Sequence, residues 1–247
     1  MAVYTEESVK ANIRNRDGRR VFYLEDGNHL TPSAREWLRR ERIEVIAGIA
    51  PVKPEFETIS GAKLTEKPEH MTHLRSGILV PKDHPRIRFR GAIDSLEAEL
   101  LLTGRFAMMG GDAAAAKQLE ELLEQVRRII RCDVLEEPVP VMQLCGLTME
   151  QLREQSHHPE KYFDQPHFMP AVTDSELLLR FNRLRTVIRQ TELLACEAFQ
   201  DRDGRVTRPD IIQLLNRMSS MLWIMVIKRK KEETHGRQTG ASNGTGV

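Results

Sequence analysis

The chain has 247 residues, of which 40% are hydrophobic, 30% charged and only 5% aromatic. That length suffices to bury a substantial core, in one large domain or two small ones. With 37 basic against 36 acidic residues the formal charge is +1, which excludes an overall basic footprint for nucleic acid.

The longest apolar run, Met221 to Ile227, falls far short of the roughly 20 residues of a membrane span. The first residues, Met1-Ala2-Val3-Tyr4-Thr5-Glu6-Glu7, lack the basic region and apolar stretch of a signal peptide. Three cysteines, Cys132, Cys145 and Cys196, are odd in number and far apart. They support neither a disulfide framework nor a Cys-x-x-Cys zinc site. These features predict a soluble cytoplasmic protein with no nucleic-acid or membrane partner.

Residues 1–60 read as a small α/β appendage ending in a linker. Arg20 to Leu24 has strand character, and Thr31-Pro32-Ser33-Ala34 supplies a cap and a first-turn proline for a helix to about Arg40. Glu44 to Ile49 is β-branched enough for a second strand. Pro51 to Lys67 has no apolar period and reads as a linker.

From Asp83 the pattern turns helical. Ile93, Leu96, Leu100 and Leu101 keep one face apolar, and Leu119, Leu122, Leu123, Val126, Ile129 and Ile130 repeat behind an Asp112 cap. Pro138 to Pro170 is a longer connection with one short helix from Thr148. Thr173-Asp174-Ser175-Glu176 reads as a capping box for a helix to about Phe199, with Leu177, Phe181, Leu184, Ile188 and Cys196 inward. Thr207-Arg208-Pro209 opens a last helix to about Lys231. Residues 232–247 have no core-forming side chains and predict a disordered tail. The expected fold is therefore mainly α: an antiparallel bundle of four or five helices over 67–231, with the N-terminal α/β appendage.

Several apparent motifs fail. Asp201-Arg202-Asp203-Gly204 has its glycine too early for a calcium loop. Gly110-Gly111 lacks the lysine and serine of a phosphate loop. Three polar constellations remain. Met71 to Leu74 and Val80 to Arg86 bring Thr72, two imidazoles, Lys82 and Arg86 into a non-helical segment able to offer N–H groups and cations to a polyphosphate; a solvated charged loop is the alternative. Arg185, Arg189 and Glu192, at i, i+4 and i+7, share one helix face. Stacked arginines repel unless an anion lies between them, whether a protein carboxylate or a phosphate. Asn216 and Ser220 interrupt an apolar helix, where a buried amide must be paired, as a core fastener or a ligand contact.

Taken in order, these constellations resemble the corrinoid adenosyltransferases, specifically the ethanolamine-utilisation type related to the propanediol-utilisation enzymes. Lys82-Asp83-His84-Pro85-Arg86-Ile87 with Gly91-Ala92-Ile93-Asp94-Ser95-Leu96 is similar to the family's Lys-x-Asp-Pro-Arg-Val and Gly-x-x-Asp-Glu-Leu signatures. Arg185-Thr186-Val187-Ile188-Arg189 with Glu192 is similar to its Arg-Thr-Val-x-Arg-Arg-x-Glu helix, with Gln190 in place of one arginine. Leu215-Asn216-Arg217-Met218-Ser219 matches its Leu-Asn-Arg-Leu-Ser. The segment Leu30 to Glu36 resembles an appendage peculiar to the ethanolamine branch.

The resemblance implies a homo-oligomeric bundle, a trimer by family likeness, that transfers adenosyl from ATP to Co(I) of cobalamin. It implies Lys82 and Arg189, with magnesium, as stabilisers of the departing triphosphate. Thr72, Lys82, Arg86, Arg189, Glu192 and Asn216 would contact nucleotide, with Glu192 holding the arginine fork. Asp94 and Arg185 would pair across a subunit interface, and Phe168 would wall the corrinoid. The branch's cysteine metal motif is replaced by Phe56-Glu57-Thr58-Ile59-Ser60, which implies a variant with no protein-bound metal. Other classes remain open: a non-catalytic corrinoid or nucleotide carrier, or an interaction protein of a bacterial microcompartment. A reductase is a further partner the chemistry invites.

Overall fold

Two separate apolar clusters organise the chain, which divides into the units Met1–Glu55 and Phe56–Val247. The computed structural model describes residues 1–16, 18–49, 56–140 and 143–242, with side chains to His235.

The first unit runs β1 (Val3–Tyr4), α1 (Glu6–Ala11), β2 (Arg14–Arg16), β3 (Arg19–Leu24), β4 (His29–Leu30), α2 (Pro32–Arg40) and β5 (Glu44–Ala47). Thr31 caps α2 through its hydroxyl, which accepts from Ala34 N at 3.3 Å, and Pro32 occupies the first turn, as the sequence predicts. β3 pairs antiparallel with β2 and parallel with β5, in the register Val21↔Glu44 to Leu24↔Ala47. The parallel pair needs a crossover, which α2 provides. Val9, Phe22, Ala34, Trp37, Leu38 and Ile43 form its small core.

In the second unit, β6 (Phe56–Thr58), β7 (Lys63–Leu64), β8 (Met71–Arg75) and β9 (Ile78–Pro81) form a sheet in the order β7-β6-β9-β8. Part of the predicted linker is therefore strand. β6 is held by pairing with β9, and Phe56 meets the His73 ring at 5.6 Å; neither contact has a local sequence signal. Pro51 to Glu55 lie outside the described residues. β8 and β9 form a hairpin whose turn places Gly77 at φ 73°, a conformation suited to glycine.

The bundle follows: α3 (Pro85–Met109), α4 (Ala113–Val134), α5 (Met149–His157), α6 (Pro159–Phe163), α7 (Glu176–Ala198) and α8 (Pro209–Ser242). The short link Gly110-Gly111-Asp112 turns α3 back into α4, and Asp112 caps α4 by accepting from Ala115 N at 2.9 Å. The core joins Phe89, Ile93 and Leu96 of α3 to Leu122 and Ile129 of α4, and these to Phe181 and Ile188 of α7 and Leu215 and Leu222 of α8. Leu101, expected on the apolar face, is 49% exposed.

Three further expectations change. Ser175, not Thr173, caps α7, accepting from Leu178 N at 3.3 Å; Asp174 is occupied instead by Ala171 N and Lys230. The connection before α7 holds two short helices rather than one. α8 continues to Ser242, past the predicted end at Lys231, because Arg229 pairs with Glu232 and Glu233 at 3.5 and 3.4 Å and Glu233 receives Ser175. Residues 243–247 lie outside the described residues. By length and composition Pro209–His235 could cross a membrane, but 61% of its most apolar window is buried in the bundle, which makes it a core helix.

Candidate functional site

Helix periodicity places Arg185 and Arg189 one turn apart on α7, and Asn216, Ser220 and Trp223 on the neighbouring face of α8. Together with Ser219, and with Ser156 and His157 of α5 and His167 of the following segment, they line a cleft of about 280 Å³. The α7–α8 pair thus gathers two of the three constellations.

Within this cleft the two arginines have no ion-pair partner among the described residues. Arg185 lies over the Trp223 ring at 5.1 Å, and its Nε donates to Asn182 Oδ1 at 3.3 Å. Burial, then the neighbouring Arg189, lowers its pKa from the usual guanidinium value. A cation pair destabilised in this way favours an anion between its members.

Glu192 does not hold an arginine as expected. Its Oε1 accepts from Asn216 Nδ2 at 2.9 Å, and Asn216 Oδ1 accepts from Arg217 at 2.5 Å. Asn216 is therefore a fastener between α7 and α8 that also faces the cleft.

The β8–β9 group is separate. Lys82 follows β9, is 54% exposed and pairs with Glu69 at 3.0 Å, which lowers the Glu69 pKa. Thr72 is half-buried in β8, opposite Val80. His84 caps α3, its Nδ1 accepting from Arg86 N at 3.2 Å; burial and then Arg86 and Arg90 lower its pKa.

Arg86 is committed elsewhere. Its Nε and a terminal nitrogen donate to Asp133 Oδ1 at 3.1 and 2.6 Å, while Arg90 Nε donates to Asp133 Oδ2 at 2.7 Å. Asp133 is wholly buried at the end of α4. Arg90 also donates to the carbonyl of Leu74 at 2.9 Å, so this clamp ties the hairpin to α3 and α4. Arg86 is thus a frame residue in this chain rather than a free cation.

Asp94 is exposed on α3 and makes no ion pair with Arg185 within one chain. Phe168 stacks on Trp223 with centroids 5.6 Å apart, and His167 stacks on the same ring at 6.0 Å. Trp223, His157 and Asp133 were not singled out by sequence reasoning. The signal for Asp133 was present: Arg86 and Arg90, one turn apart, need an anion as much as Arg185 and Arg189 do.

Burial, then Glu121, pushes Cys145 up to about 12. Burial, then Glu192, also raises the Cys196 thiol, so neither Cys196 nor Cys145 is poised as a nucleophile. Among the described residues no group of His, Cys, Asp and Glu is arranged to hold a metal ion. Phe56–Thr58 and its neighbours carry no thiolate, so the residues present do not fit a cysteine metal centre.

Residues 63–229 match the cobalamin adenosyltransferase family model. The chain belongs to that family, and is an enzyme of adenosyl transfer to a corrinoid. Within the family its likeness is to the EutT type. It is 30% identical over 248 aligned positions to the corrinoid adenosyltransferase EutT of Salmonella typhimurium and 31% identical to that of Escherichia coli K12. Each match covers 90% of both chains. A variant of the PduO-type ATP:corrinoid adenosyltransferase of Lactobacillus reuteri, solved with cobalamin and ATP, superposes with a TM-score of 0.48 at 16% identity, over 73% of this chain and 91% of that one.

Proposed function

We propose that the enzyme transfers the 5′-deoxyadenosyl group of ATP to Co(I) of a corrinoid, supporting ethanolamine utilisation, with the α7–α8 cleft as its centre. The observation that carries this reading is the pair Arg185 and Arg189, facing a polar cleft with no carboxylate between them.

Co(I) is itself the nucleophile, so the protein need supply only placement and electrostatics. As cobalt attacks the ribose 5′-carbon, the C–O bond to triphosphate breaks and negative charge grows on the leaving group. Arg189 is directed at that charge, a fixed cation aimed where charge develops. Lys82 plays the same part from the hairpin, exchanging Glu69 for phosphate, and Thr72 lies on that strand. Magnesium enters with the triphosphate as part of the substrate. Asn216, set by Glu192, orients the nucleotide. Phe168, on its Trp223 platform, offers an apolar face that denies cobalt a lower ligand and so eases its reduction.

The hairpin group and the cleft group occupy separate places in one chain, and Asp94 lacks its expected partner there. Both facts support a site completed by a second copy, with Asp94 of one protomer pairing with Arg185 of another, in a trimer. The N-terminal unit has a core of its own, which supports its role as an address for a microcompartment in the cytoplasm. Deleting residues 1–55 should abolish recruitment and spare catalysis.

The test of the reaction is anaerobic absorbance with ATP, magnesium, cobalamin and a strong reductant, without added zinc or iron. A light-sensitive carbon–cobalt product formed with turnover supports the reading. Binding without product would replace the enzyme with a carrier and overturn it.

A further inference from the structure

Asn216 faces the cleft from α8, and both ends of its carboxamide are engaged. On the nitrogen side Glu192 Oε1 accepts from Nδ2 at 2.9 Å. On the oxygen side Oδ1 accepts from Arg217 at 2.5 Å. A carboxylate only accepts and a guanidinium only donates. The reversed amide would set oxygen against carboxylate and N–H against cation, two repulsions in place of two bonds. Glu192 and Arg217 make no ion pair with each other among the described residues, so the amide stands between them. One N–H of Nδ2 and one lone pair of Oδ1 are left over.

Stability alone does not account for Arg217. It is half-buried, and its bond to Asn216 is its one hydrogen bond among the described residues, where no carboxylate lies in ion-pair reach of it. Its Nε is sealed from solvent without an acceptor, which costs stability. Arg217 does not itself line the cleft, so it acts on a ligand there through Asn216.

We propose that Arg217 is a positioning residue for the nucleotide, holding the oxygen end of the Asn216 carboxamide so that its remaining N–H and lone pair stay aimed into the cleft. The proposal rests on the nucleotide role assigned to Asn216 above. The terminal torsion of an asparagine is broad and soft, so an amide tethered at one end turns and one tethered at both ends does not. Fixing it before the nucleotide arrives removes an ordering cost from binding. Phe168 and Trp223 are held by their own stacking, so the effect falls on ATP and not on the corrinoid.

The test uses the whole chain with Arg217→Met, which keeps an unbranched stem and removes both the bond to Asn216 and the orphaned N–H. The melting temperature should stay within about 3 °C of the parent. KM for ATP should rise about tenfold while KM for cobalamin changes less than about twofold. With Asn216→Ala already present, the same substitution should change KM for ATP less than about twofold, because its effect passes through the amide. Nitrogen-15 relaxation of the Asn216 side-chain amide should show a more mobile group once Arg217 is gone. Arg217→Leu takes its place should the Met variant melt early; early melting of both makes Arg217 a stability residue and overturns the proposal. Equal rises in both KM values, the full rise in the absence of Asn216, or an amide as rigid as in the parent overturn it as well. Absence of any product from the parent protein would sink the catalytic reading instead, and the relaxation of the Asn216 amide would still decide whether Arg217 holds it.

Discussion

Two pairs of arginines stand one turn apart on neighbouring helices, Arg86 with Arg90 on α3 and Arg185 with Arg189 on α7. In sequence they look alike. In the structure the first pair closes on a wholly buried Asp133 at 2.6 and 2.7 Å, while the second faces a cleft without a carboxylate partner. The difference teaches that a motif arginine becomes available to a ligand only when the fold withholds a counter-ion from it. The pair given Asp133 builds the frame; the pair left without one stays open to the cleft.

The comparison can be broken or sharpened by substitution. Asp133→Ala leaves two arginines buried around a void and should cost about 3–5 kcal/mol of stability, read from denaturant unfolding; a loss under 1 kcal/mol would remove the clamp from the frame. Arg189→Ala should lower kcat/KM for ATP about 100-fold, or ~3 kcal/mol of barrier, with the melting temperature little changed. Equal loss of stability in both variants would erase the distinction between the pairs. Lys82→Ala should cost activity about tenfold but almost no stability, because its pair with Glu69 is exposed and worth about 0–1 kcal/mol.

The smallest effect concerns His84. Its folded-state pKa lies below the ordinary 6.5, through burial and then Arg86 and Arg90. Between that lowered value and about pH 6.5 the unfolded chain binds more protons than the folded one. The stabilising contribution is therefore complete above about pH 6.5 and lost as pH falls through the folded-state value. His84→Asn keeps a capping side chain and should flatten this decline in melts taken across pH 5–7.

Much of this was legible in the sequence, for identifiable reasons. Leu119, Leu122, Val126 and Ile129 announce α4 because a helix repeats its buried face every three or four residues. Arg185, Arg189 and Asn216 were legible for the same reason, since helix spacing fixes which side chains share a face. What escaped depends on distant partners. β6 exists by pairing with β9, and a three-residue strand without that partner has no pattern to read. The helical extension past Lys231 comes from Arg229, Glu233 and Ser175, contacts that composition does not record. The commitment of Arg86 to Asp133, 47 residues away, has no local signal, because Asp133 lies in a charged stretch that reads as surface. Trp223 was passed over as one apolar residue among many, although an indole on a serine-lined face signals a platform.

α8 carries Asn216 near one end and Lys230 near the other without a break. At 1.5 Å per residue the two stand roughly 21 Å apart, and their angular offset about the axis is fixed as well. The helix is therefore a ruler between the cleft lined by Asn216 and the contact of Lys230 with Asp174. A single inserted residue between them would turn Lys230 by about 100° away from Asp174. Homologues that keep both contacts should conserve the length of this stretch, along with the core residues Met218, Leu222 and Val226 that fix its face.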